Sequence, residues 1–249
     1  MRSYSAENEK GIYEKCLSGY RSIIDETVRY FSRRVYRFKW KKIPLPELRG
    51  LVLDVGSGYT GEWLSSNIPA GSRLVLLDLN PTVLEKTCNG KPSVICIVGD
   101  ALRLPFIDAA FTRVLMLALL HHIPGDECRR LALKEAYRAL ANEGILIATV
   151  WSPSSLPSKT RLSDGFIITD DFGTRFVHLF DKESLVSLVS SIGLKVLEAG
   201  FFIENPRRPD ATTNIFVKAE KRCVDKNSHP KSPSIRTHDH RGLLCSTLG

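Results

Sequence analysis

Three aspartates in the first half of the chain each close a run of aliphatic residues: Asp54 in LVLDV, Asp78 in RLVLLD and Asp100 in SVICIVGD. Directly after the first run comes Gly56-Ser57-Gly58. A glycine turn at the carboxyl end of a strand lets the backbone approach a ligand that a side chain would hold away. An acid at the end of the next strand, 24 residues beyond Asp54, can accept both hydroxyls of a ribose. A carboxylate in Gly99-Asp100-Ala101 can accept from the amino group of an adenine. Alone, the glycine turn could suggest a dinucleotide fold, since GSGYTG has the GxGxxG spacing. One such acid could be a turn or helix cap, but three at successive strand ends argue for a site.

Positioning these residues needs a particular set of elements. LVLDV (51–55), RLVLLD (73–78), SVICIV (93–98), FTRVLML (111–117) and ILIATV (145–150) read as strands apolar on both faces, as in a parallel sheet covered by helices. Helical patterns lie at 60–67, 81–88 and 126–141, with Pro81 suited to a first turn and Asp126 to an N-cap. A loop-rich insertion (152–180), a helix (181–192) and strands near 194–202 and 212–219 complete an α/β fold. Its core is a doubly wound, mostly parallel seven-stranded sheet. Upstream, residues 6–41 read as helix. Ile24, Val28, Phe31, Val35 and Phe38 form an apolar stripe, and Arg29, Arg33, Arg37 and Lys41 lie on another face. The expected organisation is a basic helical extension (1–49), a catalytic-type domain (50–220) and a disordered basic tail (221–249).

Composition bounds the function classes. The chain has 249 residues, is 43% hydrophobic and carries a net charge of +8. That excludes a largely disordered or collagen-like chain and suits one domain with extensions. The positive charge gathers in residues 1–50 and 221–249, leaving a near-neutral body, which suggests a polyanionic partner. Aromatics interleave with the basic residues Arg33, Arg34, Arg37, Lys39 and Lys41, so this arm can grip phosphates and stack bases. An ordinary surface helix is the plainer alternative. The polar start carries no apolar segment of the secretory kind. The six cysteines are scattered without a CxxC pair, which argues against both a disulfide framework and a zinc cage and for a reducing, cytoplasmic setting.

The D-x-G-x-G, D and GDA series in this order resembles the class I S-adenosylmethionine-dependent methyltransferases over about residues 50–150. The resemblance implies S-adenosylmethionine as cofactor. Asp54, Gly56, Ser57 and Gly58 would serve its methionine end, Asp78 and Leu79 its ribose, and Asp100 and Ala101 its adenine. A narrower likeness runs through His121-His122, Glu127, Arg129-Arg130, Arg138, Leu140, Gly144 and Val150-Trp151, then RFVHLFDKESL (175–185) and NIFVKAEK (214–221). This resembles the tRNA wobble-uridine carboxymethyluridine methyltransferases. Ser57, Thr112 and Glu143 depart from that family's pattern. The family likeness also implies a small zinc-ribbon activator protein as partner, with the anticodon stem-loop of tRNA as substrate.

Methyl transfer from a sulfonium is an in-line displacement, governed mainly by proximity and alignment. A carboxymethyl carboxylate is already a nucleophile and requires no general base. It does require a fork to hold it, for which Arg175 is the first candidate and Arg34 or Arg37 the second. His121 and His122, at the end of the fourth strand, could donate to the carboxylate or the uracil. The alternatives are a surface ion pair of Arg175 with Asp170 or Asp171, and strand-end packing for the histidines; His178 reads as structural. A small-molecule methyltransferase with a quinone-type or phenolic acceptor is the competing function, and there a base is needed.

Overall fold

The computed structural model describes residues 2–35, 43, 45–88, 90, 92–152 and 159–222. The expected seven-stranded sheet forms from β1 (Leu51–Val55), β2 (Arg73–Asp78), β3 (Val94–Val98), β4 (Phe111–Leu117), β5 (Leu140–Trp151), β9 (Leu194–Ile203) and β10 (Thr213–Lys221). Their order is β3-β2-β1-β4-β5-β10-β9, with β10 antiparallel to both its neighbours. The continuous apolar runs follow from burial on both faces. Leu53, Val55, Val75 and Leu77 join one core cluster, while Val52, Leu74 and Leu76 point into the other.

Helices cover these faces: α1 (Arg2–Arg33), α2 (Gly61–Ser65), α3 (Pro81–Thr87), α4 (Asp126–Ala139), α5 (Lys182–Ser191) and the single turn α6 (Pro209–Thr212). Asn80 caps α3 by accepting from Val83 N–H, and Pro81 occupies the first turn, where its missing N–H costs no bond. Asp181 caps α5 through Ser184 N–H at 2.6 Å. Asp126 is not the N-cap expected of it. Gly125 takes that place at φ +84°, and Asp126 turns its carboxylate to Arg129.

Three further expectations are corrected. The stretch expected to be loop-rich contains a three-stranded antiparallel sheet, β6 (Lys159–Leu162), β7 (Gly165–Asp170) and β8 (Gly173–Val177). Its strands are too short for an alternating pattern to stand out, and its reverse turns place Gly165 and Gly173 at their ends. The helix expected over 6–41 ends at Arg33, so Val35 lies beyond it and is exposed. Arg37, Lys39 and Lys41, with Phe38, lie outside the described residues, as does most of the 221–249 tail. Finally, Cys16 is bonded to Cys128 and Cys88 to Cys96. Cys16 and Cys128 are 112 residues apart, and only the packing of α1 on α4 brings them together, so spacing carried no sign of it. The inference of a reducing compartment from scattered cysteines loses its footing. No helix among the described residues is long and apolar enough to cross a membrane.

Candidate active site

The strand order reverses between β2-β1 and β4-β5, and in such sheets a crevice opens at the carboxyl ends of the strands there. A cavity of about 1030 Å³ occupies that place. Its roof is α1, which lends Tyr13, Leu17, Ile24, Val28 and Phe31. The roof is tied down near its C-terminal end. Asn80 Nδ2 donates to Val28 O at 3.0 Å and to Ser32 Oγ at 2.8 Å, and Tyr59 OH donates to Phe31 O at 3.3 Å.

The glycine turn forms one end of the floor. Gly56 N–H and Ser57 N–H both donate to Leu77 O, at 2.7 and 3.0 Å. Gly56 has φ +67°, a conformation that disfavours any side chain, and a Cβ there would stand 2.6 Å from Leu119 Cδ1, which would have to move. Gly58 N–H donates to Asp78 Oδ2 at 2.8 Å and Asn80 N–H to Asp78 Oδ1 at 2.9 Å, which aims this carboxylate across the turn. Burial still raises the Asp78 carboxyl above its ordinary value, although the Gly58, Asn80 and Leu79 N–H groups favour its charged form. Asp100 accepts from Leu102 N–H at 2.9 Å and from Tyr13 OH at 3.4 Å, closing the other end.

Gly56, Ser57, Gly58, Asp78, Leu79, Asp100 and Ala101 thus line one cavity. Asp54 does not line it. It is fully buried beneath the turn and accepts from Thr60 Oγ1, a residue that does line the wall. Burial pushes the Asp54 carboxyl up to about 7, with the Thr60 hydrogen bond opposing and the Asp78 charge adding. Asp54 Oδ1 and Ser57 Oγ are buried without a hydrogen-bond partner among the described residues. Buried polar atoms are seldom left so, and these two lie under a wall built for close backbone approach. Together with Asp78 and Asp100 they fit a nucleoside joined to an amino acid, as S-adenosylmethionine is.

The far end of the cavity holds the histidines and arginines. His121 is buried, and its Nδ1 accepts from Trp151 N–H at 3.3 Å, so a neutral ring carries its proton on Nε2. His122 Nδ1 bonds Phe176 O at 2.7 Å and must donate there, which leaves Nε2 as the acceptor. Burial, with the neighbouring His122 and Arg175, holds His121 well below its ordinary value. Burial also lowers His122 to about 4, against a smaller opposing effect of Phe176 O.

Arg175 makes the ion pair with Asp170 that was one alternative for it, but not at the surface. It is only 7% exposed, its Nη1 lies 2.9 Å from Asp170 Oδ2, and its guanidinium sits 4.4 Å from the centre of the Tyr30 ring and 5.9 Å from that of Trp151. The same Asp170 oxygen accepts from Tyr30 OH at 2.8 Å and from Arg34 Nη1 at 3.0 Å. Burial would raise the Asp170 carboxyl; the Phe172 N–H, Tyr30 OH and Arg175 outweigh it and hold it low. So Arg34, the second candidate, joins the first across one carboxylate. Arg33 stays exposed at the end of α1, at the rim.

Tyr30, Asp170 and Trp151 belong to this site and were not singled out for it. Tyr30 reads from the sequence only as one of the aromatics interleaved in the basic arm, and Trp151 only as part of the family likeness at a strand end. Asp170 enters that reading only as an ion-pair partner for Arg175, and nothing local in the sequence marks it as part of a site. Two ties hold its hairpin over the cavity. Phe176 N–H donates to Thr27 Oγ1 on α1 at 3.0 Å. Arg129, wholly buried, reaches Asp164 at 2.5 and 3.1 Å and Ile123 O at 2.8 Å. His178, read from the sequence as structural, has its Nδ1 2.7 Å from Asp164 O.

Comparison with known proteins agrees with this geometry. A family model described as a methyltransferase domain matches residues 53–148. A protein of Encephalitozoon cuniculi (strain GB-M1) named as a methyltransferase is 36% identical over 113 residues, covering 41% of this chain and 53% of its own. The tRNA (carboxymethyluridine(34)-5-O)-methyltransferase of Arabidopsis thaliana is 27% identical over 135 residues, covering 52% of this chain and 32% of its own. The chain therefore spans about half the length of the first relative and about a third of the second. A solved S-adenosylmethionine-dependent methyltransferase of Methanosarcina mazei shares the fold with a TM-score of 0.58 at 20% identity, covering 72% of this chain and 95% of that one. Residues 53–148 thus match a methyltransferase domain, on a fold shared with solved S-adenosylmethionine-dependent methyltransferases.

Proposed function

We propose that the chain methylates a carboxylate, that of a carboxymethyl group on the wobble uridine of tRNA. The observation that carries this reading is the chemistry of the cavity's far end. Two guanidiniums, Arg175 and Arg34, share one carboxylate, Asp170, leaving a net positive charge. Only Nη1 of Arg175 is engaged among the described residues, so Nε and Nη2 are left as a fork for a second carboxylate. No strong base accompanies the fork: His122, lowered to about 4, is a poor proton acceptor at neutral pH. A phenol or ring carbon would need such a base; an ionised carboxylate does not.

S-adenosylmethionine supplies a methyl on sulfur, which the substrate oxygen takes as the carbon–sulfur electrons return to sulfur. Asp78, Asp100 and the glycine turn hold and orient that donor. Arg175 aligns the acceptor, Asp170 and Tyr30 fix the guanidinium, and His121 Nε2–H can donate to substrate oxygen. The roof formed by α1 keeps water out. Arg33 and Arg34 begin the RNA-facing surface, which by this reading continues through Arg37, Lys39 and Lys41. The proposal includes a small zinc-ribbon activator, by resemblance.

The test is methyl incorporation from tritiated S-adenosylmethionine into bulk tRNA lacking wobble methyl esters, followed by mild alkali. Label released by alkali supports ester formation. Label that stays means a carbon, nitrogen or ribose acceptor and overturns the carboxylate reading. Full activity of the chain alone removes the activator.

A further inference from the structure

The turn between β7 and β8 carries a large apolar side chain that the fold does not bury. Phe172 is 41% exposed at the tip of this hairpin. The tip is rigidly related to the cavity, because Phe172 N–H donates at 3.0 Å to Oδ1 of Asp170, whose other oxygen holds Arg175 and Arg34. The Arg34 guanidinium lies 5.2 Å from the centre of the Phe172 ring, and the Tyr30 ring meets it edge-on at 6.4 Å. Beside it, Arg33 Nη1 is 3.5 Å from where a Cβ on Gly173 would stand. Arg33 is exposed and makes no ion pair among the described residues. Against Asp170 and Asp171 stand Arg33, Arg34 and Arg175, so this edge of the cavity mouth is net positive.

An exposed aromatic ring with a cation at its side and an unpaired arginine next to it is chemistry suited to a nucleotide. Single-stranded bases stack on aromatic side chains while arginine meets the phosphate. Enzymes that act on one base take it out of its stack, which leaves the neighbouring base without a partner. We propose that the β7–β8 tip receives that neighbour, its base on the Phe172 ring and its phosphate at Arg33. This rests on the tRNA reading above and adds to it a contact outside the cavity, on a part of the fold that is not the basic arm.

The experiment measures binding of a fluorescent anticodon stem-loop RNA by anisotropy, with the whole chain, its F172A, F172W and R33Q variants, and a salt series. F172A is expected to weaken binding about 5- to 150-fold, the range for loss of one base–aromatic stack, and F172W to restore it. R33Q is expected to lower the slope of log affinity against log salt by about one. F172A binding within twofold of the unaltered chain, with the stem-loop still bound, overturns the stacking tip and leaves the tRNA reading standing. An unaltered chain that fails to bind the stem-loop overturns both.

Discussion

Asp54 lies against the cofactor end of the cavity in a state that can be tested without any substrate. Its carboxyl is fully buried, its Oδ1 has no partner among the described residues, and it is pushed up to about 7. From an ordinary 3.8 to about 7 amounts to about 4 kcal/mol against the ionised form in the fold. The sign follows from which state binds the proton more tightly. Here it is the folded state, so below pH 4 Asp54 is neutral in both states and carries no penalty. The penalty grows from pH 4 to 7 and is constant above. Asp54→Asn keeps the shape and removes the charge, but leaves an amide N–H unpaired in place of Oδ1, at about 1–3 kcal/mol. The variant free of ligand should therefore be more stable than the parent at pH 8 by about 1–3 kcal/mol, or about 2–10 °C in Tm for a chain of this size. At pH 4 that advantage should be gone or reversed. Burial of the neutral His121 and His122 also makes stability pH-dependent, in the opposite sense: it is full above about 6.5 and lost as pH falls toward 4. They are common to both proteins, so the difference between the two Tm curves, recorded by calorimetry from pH 4 to 8, isolates Asp54. Parallel curves would refute the reasoning, since they would mean that the ionised carboxylate costs nothing where it lies.

Three further outcomes are expected. Arg175→Gln should lower kcat/KM for methyl transfer to tRNA by at least about 150-fold, at about 1.5–3 kcal/mol for each of two charge-assisted hydrogen bonds lost. Its affinity for S-adenosylmethionine, measured by calorimetry, should be unchanged, and Arg175→Lys should fall between. Because His122 is lowered to about 4 and His121 lies well below its ordinary value, the single-turnover rate should be flat from pH 6 to 8 once Asp54 is replaced by Asn; a limb near 6.5 that persists in that variant would make one of the histidines the base. Replacing Cys16 and Cys128 together by serine should destabilise the chain by about 2–5 kcal/mol through the loss of a long-range cross-link. Limited proteolysis should then cut α1 earlier than in the parent, since the roof loses its covalent tie to α4.

What the sequence determined by itself is the sheet and the end of the cavity lined by the glycine turn and Asp78. Apolar runs covered on both faces, a glycine turn and an acid at a strand end are local features. Each is readable within a few residues, and parallel strands joined by helices bring their carboxyl ends together without further instruction. Pro81 after Asn80 is legible for the same reason. The depth of Asp54 is not, because one layer in or out depends on how Thr60 and the turn pack above it. Nor was Gly125 in the capping place expected of Asp126, since Asp126 is drawn off by Arg129. The far end of the cavity was decided by tertiary structure. Tyr30, Arg34, Asp170 and Arg175 converge from α1, the segment after it and the β7–β8 hairpin, with 140 residues between Tyr30 and Asp170. The pairing of Cys16 with Cys128 spans a comparable length. No spacing rule encodes such meetings. They exist because α1 has an apolar face to bury and the far end of the sheet offers the surface on which it lies.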